Sequence, residues 1–173
     1  MGSLQRLAEL VRAQGGLLAE LLRPDAASVA GEPSEPGPAQ IAAAGPRANG
    51  RGEQYELLVE AIYEGYLLHY GRSRIMDSGQ SDLRLLAGDR LYALGLSQLV
   101  ALGDVAAVGE LADLITISAQ AQEAGEEELA AAIWSAGARA IGWGPSAGHE
   151  HAKELALVRD PGALEAMRTS AAA

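Results

Sequence analysis

The chain has 173 residues, 49% of them hydrophobic, with no cysteine, no phenylalanine and only 4% aromatics. That length makes one domain, or one domain with a tail, whose core must be built from Ala, Leu, Ile and Val; disulfides, thiolate metal sites and cysteine nucleophiles are excluded. A net charge of -10 and a pI of about 4.7 argue against nucleic acid, whose phosphates need clustered Lys and Arg, and against general adhesion to an anionic membrane.

Residues 3–23 read as an amphipathic helix. Leu4, Leu7, Val11, Leu18, Leu21 and Leu22 share one face at helical spacing, with Ser3 as N-cap. Gly15 and Gly16 weaken its middle enough to divide it in two. Arg6, Glu9 and Arg12 interrupt any apolar leader, and no apolar run approaches the roughly 20 residues of a membrane span. Residues 24–52 hold Pro24, Pro33, Pro36, Pro38 and Pro46 among Gly, Ala, Ser and Glu. They lack apolar periodicity and read as a disordered linker. The first helix is therefore expected to be tethered, with Leu4, Leu7, Val11 and Leu18 docking a protein or a membrane.

Residues 53–168 read as a helical bundle. The first helix runs over 53–70, with Tyr55, Leu58, Val59, Ile62, Tyr66 and Leu67 inward and Gly71 as its stop. After a loop at 72–81, Asp82 caps a helix to 102 that is apolar on nearly all sides and so is expected at the centre. Asp104 caps a third helix to about 124, with Val105, Val108, Leu111, Ala112, Ile115 and Ala119 inward. Glu126, Glu127 and Glu128 open a fourth, where carboxylates suit the positive end of the helix dipole. It ends near Gly142-Trp143-Gly144-Pro145. Ser146 caps a helix to 158, and Asp160-Pro161 starts a last one carrying Leu164 and Met167. No run alternates apolar and polar residues, so no strand is expected. The fold class is all-α, and small side chains suit a tight bundle.

Two segments carry more than helix signals. VEAIYEGYLLHYG (Val59–Gly71) and LRLLAGDRLYAL (Leu83–Leu94) resemble two consecutive helices of the trans-isoprenyl diphosphate synthases. The similarity covers roughly residues 53–122, the front half of such an enzyme. In that family the first helix ends in tandem aspartates after a histidine, and a later helix carries D-D-x-x-D. Both motifs hold magnesium against the substrate diphosphate, which needs hard oxygen ligands in octahedral geometry. Here Tyr70 and Gly71 stand where the tandem aspartates belong, and D-D-x-x-D does not occur.

The resemblance therefore implies a truncated isoprenyl-synthase-like bundle that does not catalyse and holds no metal or other cofactor. It implies an accessory or regulatory subunit in isoprenoid biosynthesis, partnered by a catalytic prenyl synthase subunit or by a second copy. The setting it implies is cytoplasmic, with peripheral membrane contact through the N-terminal helix left open. Two alternatives stand beside it: a helical interaction module in an unrelated complex, and a protein that binds a prenyl chain or lipid.

His69, Tyr70, Arg72, Arg74 and Asp89 outline a candidate remnant diphosphate or lipid cleft. Against it, Arg in a loop is usually solvated, and His69 fits a structural hydrogen bond as well. Asp89 in an apolar helix needs a partner, which Arg72, Arg74 or Arg90 could supply. Tyr63 and Tyr66, with Tyr55 and Tyr70, suit either a cleft or an interface. Trp134 reads as core, and Trp143, among glycines, as core cover or a docking anchor. His149 and His151 sit two apart, about 200° around a helix, and so cannot share a metal there. No serine–histidine–acid motif, phosphate loop or H-E-x-x-H is present.

Overall fold

The structure is a computed structural model and describes residues 2–26, 35–77 and 79–173. It is all-α: α1 (Ser3–Gln14), α2 (Gly16–Glu20), α3 (Pro38–Ala44), α4 (Gly52–Tyr70), α5 (Ser81–Ala101), α6 (Val105–Glu123), α7 (Glu127–Trp143), α8 (Ala147–Leu157) and α9 (Ala163–Ala172), with a 3₁₀ turn at Pro46–Ala48. Among the described residues the sole extended pairing is an isolated bridge between Leu22 and Met76. No helix among them is long and apolar enough to cross a membrane.

Several ends form where the caps say they should. The Asp104 carboxylate accepts from Ala107 N at 3.0 Å and starts α6, and Ser146 Oγ accepts from His149 N at 3.1 Å and starts α8. Gly15 and Gly16, both at φ +68°, break α1 from α2 in a backbone region that glycine enters freely. Others differ. Ser3 does not cap α1: it is the helix's first residue, and its hydroxyl donates to Glu60. Asp82 lies in the first turn of α5, behind Gln80 as the cap residue. Asp160 accepts from Gly162 N in a turn, so α9 begins at Ala163, not at Pro161.

The tether expectation is corrected at both ends. α1 packs on α4, and Leu7, Ala8, Val11 and Leu18 are buried in one cluster with Ala61, Leu68, Ile75, Met76, Ala87 and Leu91. Within the expected linker, α3 packs on α4 and α7 and buries Ala39 and Ala42. Residues 27–34 of that linker lie outside the described residues. Alanine and glycine hid α3 from the apolar pattern, yet they are what it needs. A Cβ on Gly45 would stand 2.1 Å from Gly142 O, so only two glycines let these backbones touch.

The central helix is α7, not α5. Eleven residues of α7 between Leu129 and Gly142 are buried, Trp134 among them. α5 buries a narrow row, Ala87, Gly88, Leu91, Gly95 and Leu99, and turns Leu85, Leu86 and Val100 outward. On α6 the buried row is Ala107, Glu110, Leu111, Leu114, Ile117, Ser118 and Ala121. Of the stripe expected there, Leu111 alone is buried, and Val105 is exposed. The buried row includes Glu110, which meets His149 and Lys153 of α8, and Ser118, whose hydroxyl donates to Leu114 O of its own helix.

Candidate functional site

The two motif segments meet where α4 crosses α5. Both helices carry glycine at the crossing: a Cβ on Gly65 would stand 2.9 Å from Gly88 O, and one on Gly95 would stand 2.8 Å from Leu58 O. The His69 ring covers Gly88, so a Cβ there would lie 2.6 Å from ring atoms. That ring also stacks on Tyr92, with centroids 5.3 Å apart and planes 5° from parallel. His69 Nε2 stands 3.1 Å from Asp89 Oδ1, an ion-pair distance at an angle poor for a hydrogen bond. Asp89 itself is exposed, and its partner is His69 rather than Arg72, Arg74 or Arg90. Histidine, glycine and aspartate thus work as a helix-packing unit.

Of the five residues of the expected cleft, His69, Asp89 and Tyr70 lie together, Nε2 of His69 3.1 Å from Asp89 and its ring 5.9 Å from that of Tyr70, whereas Arg74 is paired with Glu60 and Glu64. Tyr70 and Arg72 are exposed at the end of α4. Arg74 folds the other way, onto a ladder of carboxylates. Glu56, Glu60 and Glu64 repeat every four residues and so share one face of α4. Glu60 and Glu64 are fully buried there. The Arg74 guanidinium pairs with Glu60 and donates from Nε to Glu64 at 2.6 Å, while its backbone N donates to Glu64 Oε2 at 3.1 Å. Ser73 Oγ also donates to Glu64, and Ser3 Oγ to Glu60, each at 2.6 Å. Arg6 donates to Glu56 at 2.6 Å, and Gln40 bridges Glu56 and Ser3. The ladder binds α1, α3 and the 72–76 loop to α4. Burial raises the Glu64 pKa above the usual carboxylate range, although Arg74 and Ser73 pull against it. Arg74 is committed to these carboxylates.

The expected docking residues divide similarly. Leu7, Val11 and Leu18 are core, and Leu4 is half-buried against them. Tyr63 and Tyr66 pack their rings on Trp134 at 5.0 and 5.1 Å. Tyr70 continues the row from Tyr66 at 5.5 Å, whereas Tyr55 stands apart and donates to Asp104 at 2.6 Å. Trp143 is partly exposed, with the Arg139 guanidinium 4.0 Å above its ring.

A second buried network joins α6, α8 and α9. His149 Nε2 lies 2.5 Å from Glu110 Oε1, and its Nδ1 lies 3.0 Å from Ser170 Oγ. Lys153 donates to the other Glu110 oxygen at 3.0 Å and to Asp113 at 2.8 Å. Burial alone would raise the Glu110 pKa; His149 and Lys153 outweigh it and hold the carboxyl below its ordinary value. An ionised Glu110 only accepts, so Nε2 donates and Nδ1 faces the serine. Serine, histidine and acid are therefore in relay order, yet all three are buried. With no approach for a substrate, the relay ties three helices together. Sequence reasoning treated His149 as a polar helix start and missed Glu110 and Ser170, which stand 39 and 21 residues away. Glu60 and Glu64 were also missed, although their spacing of four within an apolar helix signals them.

No family model, curated protein or solved structure matches this chain.

Proposed function

We propose that this chain is a non-catalytic accessory subunit of isoprenyl-synthase-like fold. It packs through the outer face of α5 against another helical subunit, a catalytic prenyl synthase chain or a second copy of itself. The observation that carries this reading is the row Leu86, Ala93 and Val100. These residues are seven apart, hence on one side of α5, and all are turned to solvent. Leu86 and Val100 are each 55% exposed, and Leu85 beside them is 38% exposed. Single exposed leucines are ordinary, but an apolar row along one helix marks a contact surface.

Three features support the absence of catalysis. Tyr70 and Gly71 replace the magnesium-binding aspartates of the resembled family. The surviving motif residues His69 and Gly88 are occupied, together with Gly65, in joining α4 to α5. Arg74 is held by Glu60 and Glu64. Sedimentation of the full chain, alone and with a candidate catalytic subunit, tests the pairing. A complex that Leu86→Asp with Val100→Asp dissolves, while helicity stays unchanged, supports it. A complex indifferent to both changes, or none with either partner, contradicts it.

A further inference from the structure

We propose that the groove between α1, α4 and α5 is a binding site for a small, neutral, mainly apolar molecule. It is separate from the outer face of α5 and goes beyond the subunit role proposed above. The groove is half-open and holds about 250 Å³. Its floor is leucine: Leu10 from α1, Leu57 and Leu58 from α4, and Leu94 and Leu102 from α5 and its C-terminal cap. Its rim is glutamine, one from each helix: Gln14, Gln54 and Gln98.

The lining decides the chemistry of the occupant. Charged residues make up 21% of this chain, yet none lines the groove. A charged ligand entering it would lose hydration and meet no counter-charge, so the site selects against ions of either sign. Five leucines favour an occupant with apolar surface, which gains by leaving water. The three amides offer donors and acceptors at the mouth, where a hydroxyl, ether or carbonyl would sit. Concave, apolar walls with a few convergent polar groups are the usual form of a small-molecule site. The volume sets the scale: it takes a molecule of one or two rings and is too small for a helix.

The position carries a consequence. Leu10 and Gln14 belong to α1, and the other walls belong to α4 and α5. An occupant touches both sides of the seam that seats the N-terminal helix. Binding to the folded chain alone stabilises the fold by mass action.

The neutral two-ring fluorophore 6-propionyl-2-(dimethylamino)naphthalene, whose carbonyl can meet the rim amides, tests the site on the full chain. The expected result is saturable one-to-one binding and a melting temperature that rises with probe concentration. Side-chain amide resonances of Gln14, Gln54 and Gln98 shift, while those of Gln120 and Gln122 stay. Leu10→Trp, which fills the groove, and Leu57→Asp, which charges it, each weaken binding at least tenfold, whereas Leu86→Asp leaves it unchanged. The resonance shifts are read on the unsubstituted chain, so a variant that misfolds does not blur the answer. Absence of saturable binding, shifts confined to other glutamines, or weakening by Leu86→Asp alone overturns the proposal. Binding only as the side chain of a protein partner, with no uptake of the free probe, overturns it as well.

Discussion

Gly65 and Gly88 bring the backbones of α4 and α5 into contact: a Cβ on Gly88 would lie 3.0 Å from Gly65 O, and one on Gly65 would lie 2.9 Å from Gly88 O. The contact explains why LLAGD is informative. Its glycine is where the neighbouring helix and the His69 ring pass, and its aspartate meets that ring from the outside.

Alanine at two glycines should therefore act with opposite signs. Gly88→Ala forces His69 or the helix backbone to move and should cost about 1–3 kcal/mol despite the better helix propensity. At Gly109, on α6, an added Cβ meets nothing within 4 Å. Gly109→Ala should therefore stabilise, by up to about 1 kcal/mol. Urea melts of both variants check the pair. Equal effects would show that the crossing is looser than described.

Arg74 pairs with two buried carboxylates. Arg74→Met should cost about 3–5 kcal/mol, because breaking a buried ion cluster strands its charges. Adding Glu60→Gln and Glu64→Gln to that variant should recover much of the loss, since neutral amides keep hydrogen bonds without charge. Chemical denaturation of the single and triple variants decides it; a triple variant as weak as the single one would contradict the ladder.

Acid sensitivity should come chiefly from Glu110 and Asp104. Burial works against ionisation at both, but His149 and Lys153 at Glu110, and Tyr55, Ala107 N and Arg47 at Asp104, hold both pKa values below normal. A depressed folded pKa gives stability that is present above the unfolded value, near 4, and is lost as the pH falls through the folded value. Glu64 works the other way, because its raised pKa means that protonation from above the carboxylate range relieves a cost. Stability measured from pH 7 to pH 2 should thus fall mainly below about pH 4, and Glu110→Gln should flatten that fall. An unchanged slope in Glu110→Gln would rule out the carboxylate as its source.

The N-terminal helix should behave as part of the bundle. Val11 is fully buried and Leu18 nearly so. Val11→Asp with Leu18→Asp should lower the melting temperature of the whole domain in one cooperative step. An unchanged bundle transition would restore the separable docking helix that the sequence suggests.

Helix ends were legible because caps are local. Asp104 and Ser146 bind backbone N–H groups three residues away, and that spacing can be read directly. Burial was not legible where small residues carry it. On α5 the glycines go inward and leave Leu85 and Leu86 outside, which inverts the usual reading of an apolar helix. α3 escaped notice because Ala39 and Ala42 look the same in a linker as in a core. The partners of His149 and Arg74 come from elements distant in sequence, so no local pattern announces Glu110, Ser170 or the double use of Glu60 and Glu64.

The proposed lack of prenyl elongation has a direct assay. The chain incubated with an allylic diphosphate, isopentenyl diphosphate and magnesium should yield no elongated product. Turnover abolished by EDTA would contradict the reading of Tyr70 and Gly71.

Pairing through α5 is the central claim, and photo-cross-linking at Leu86 in the native cells tests it most directly. Leu86→p-benzoylphenylalanine should give one defined adduct, with a second copy of this chain or with a catalytic prenyl synthase chain. The same group at Glu165, on the exposed side of α9, should give none. No adduct at position 86 beyond that control, or a spread of unrelated adducts, would contradict the account.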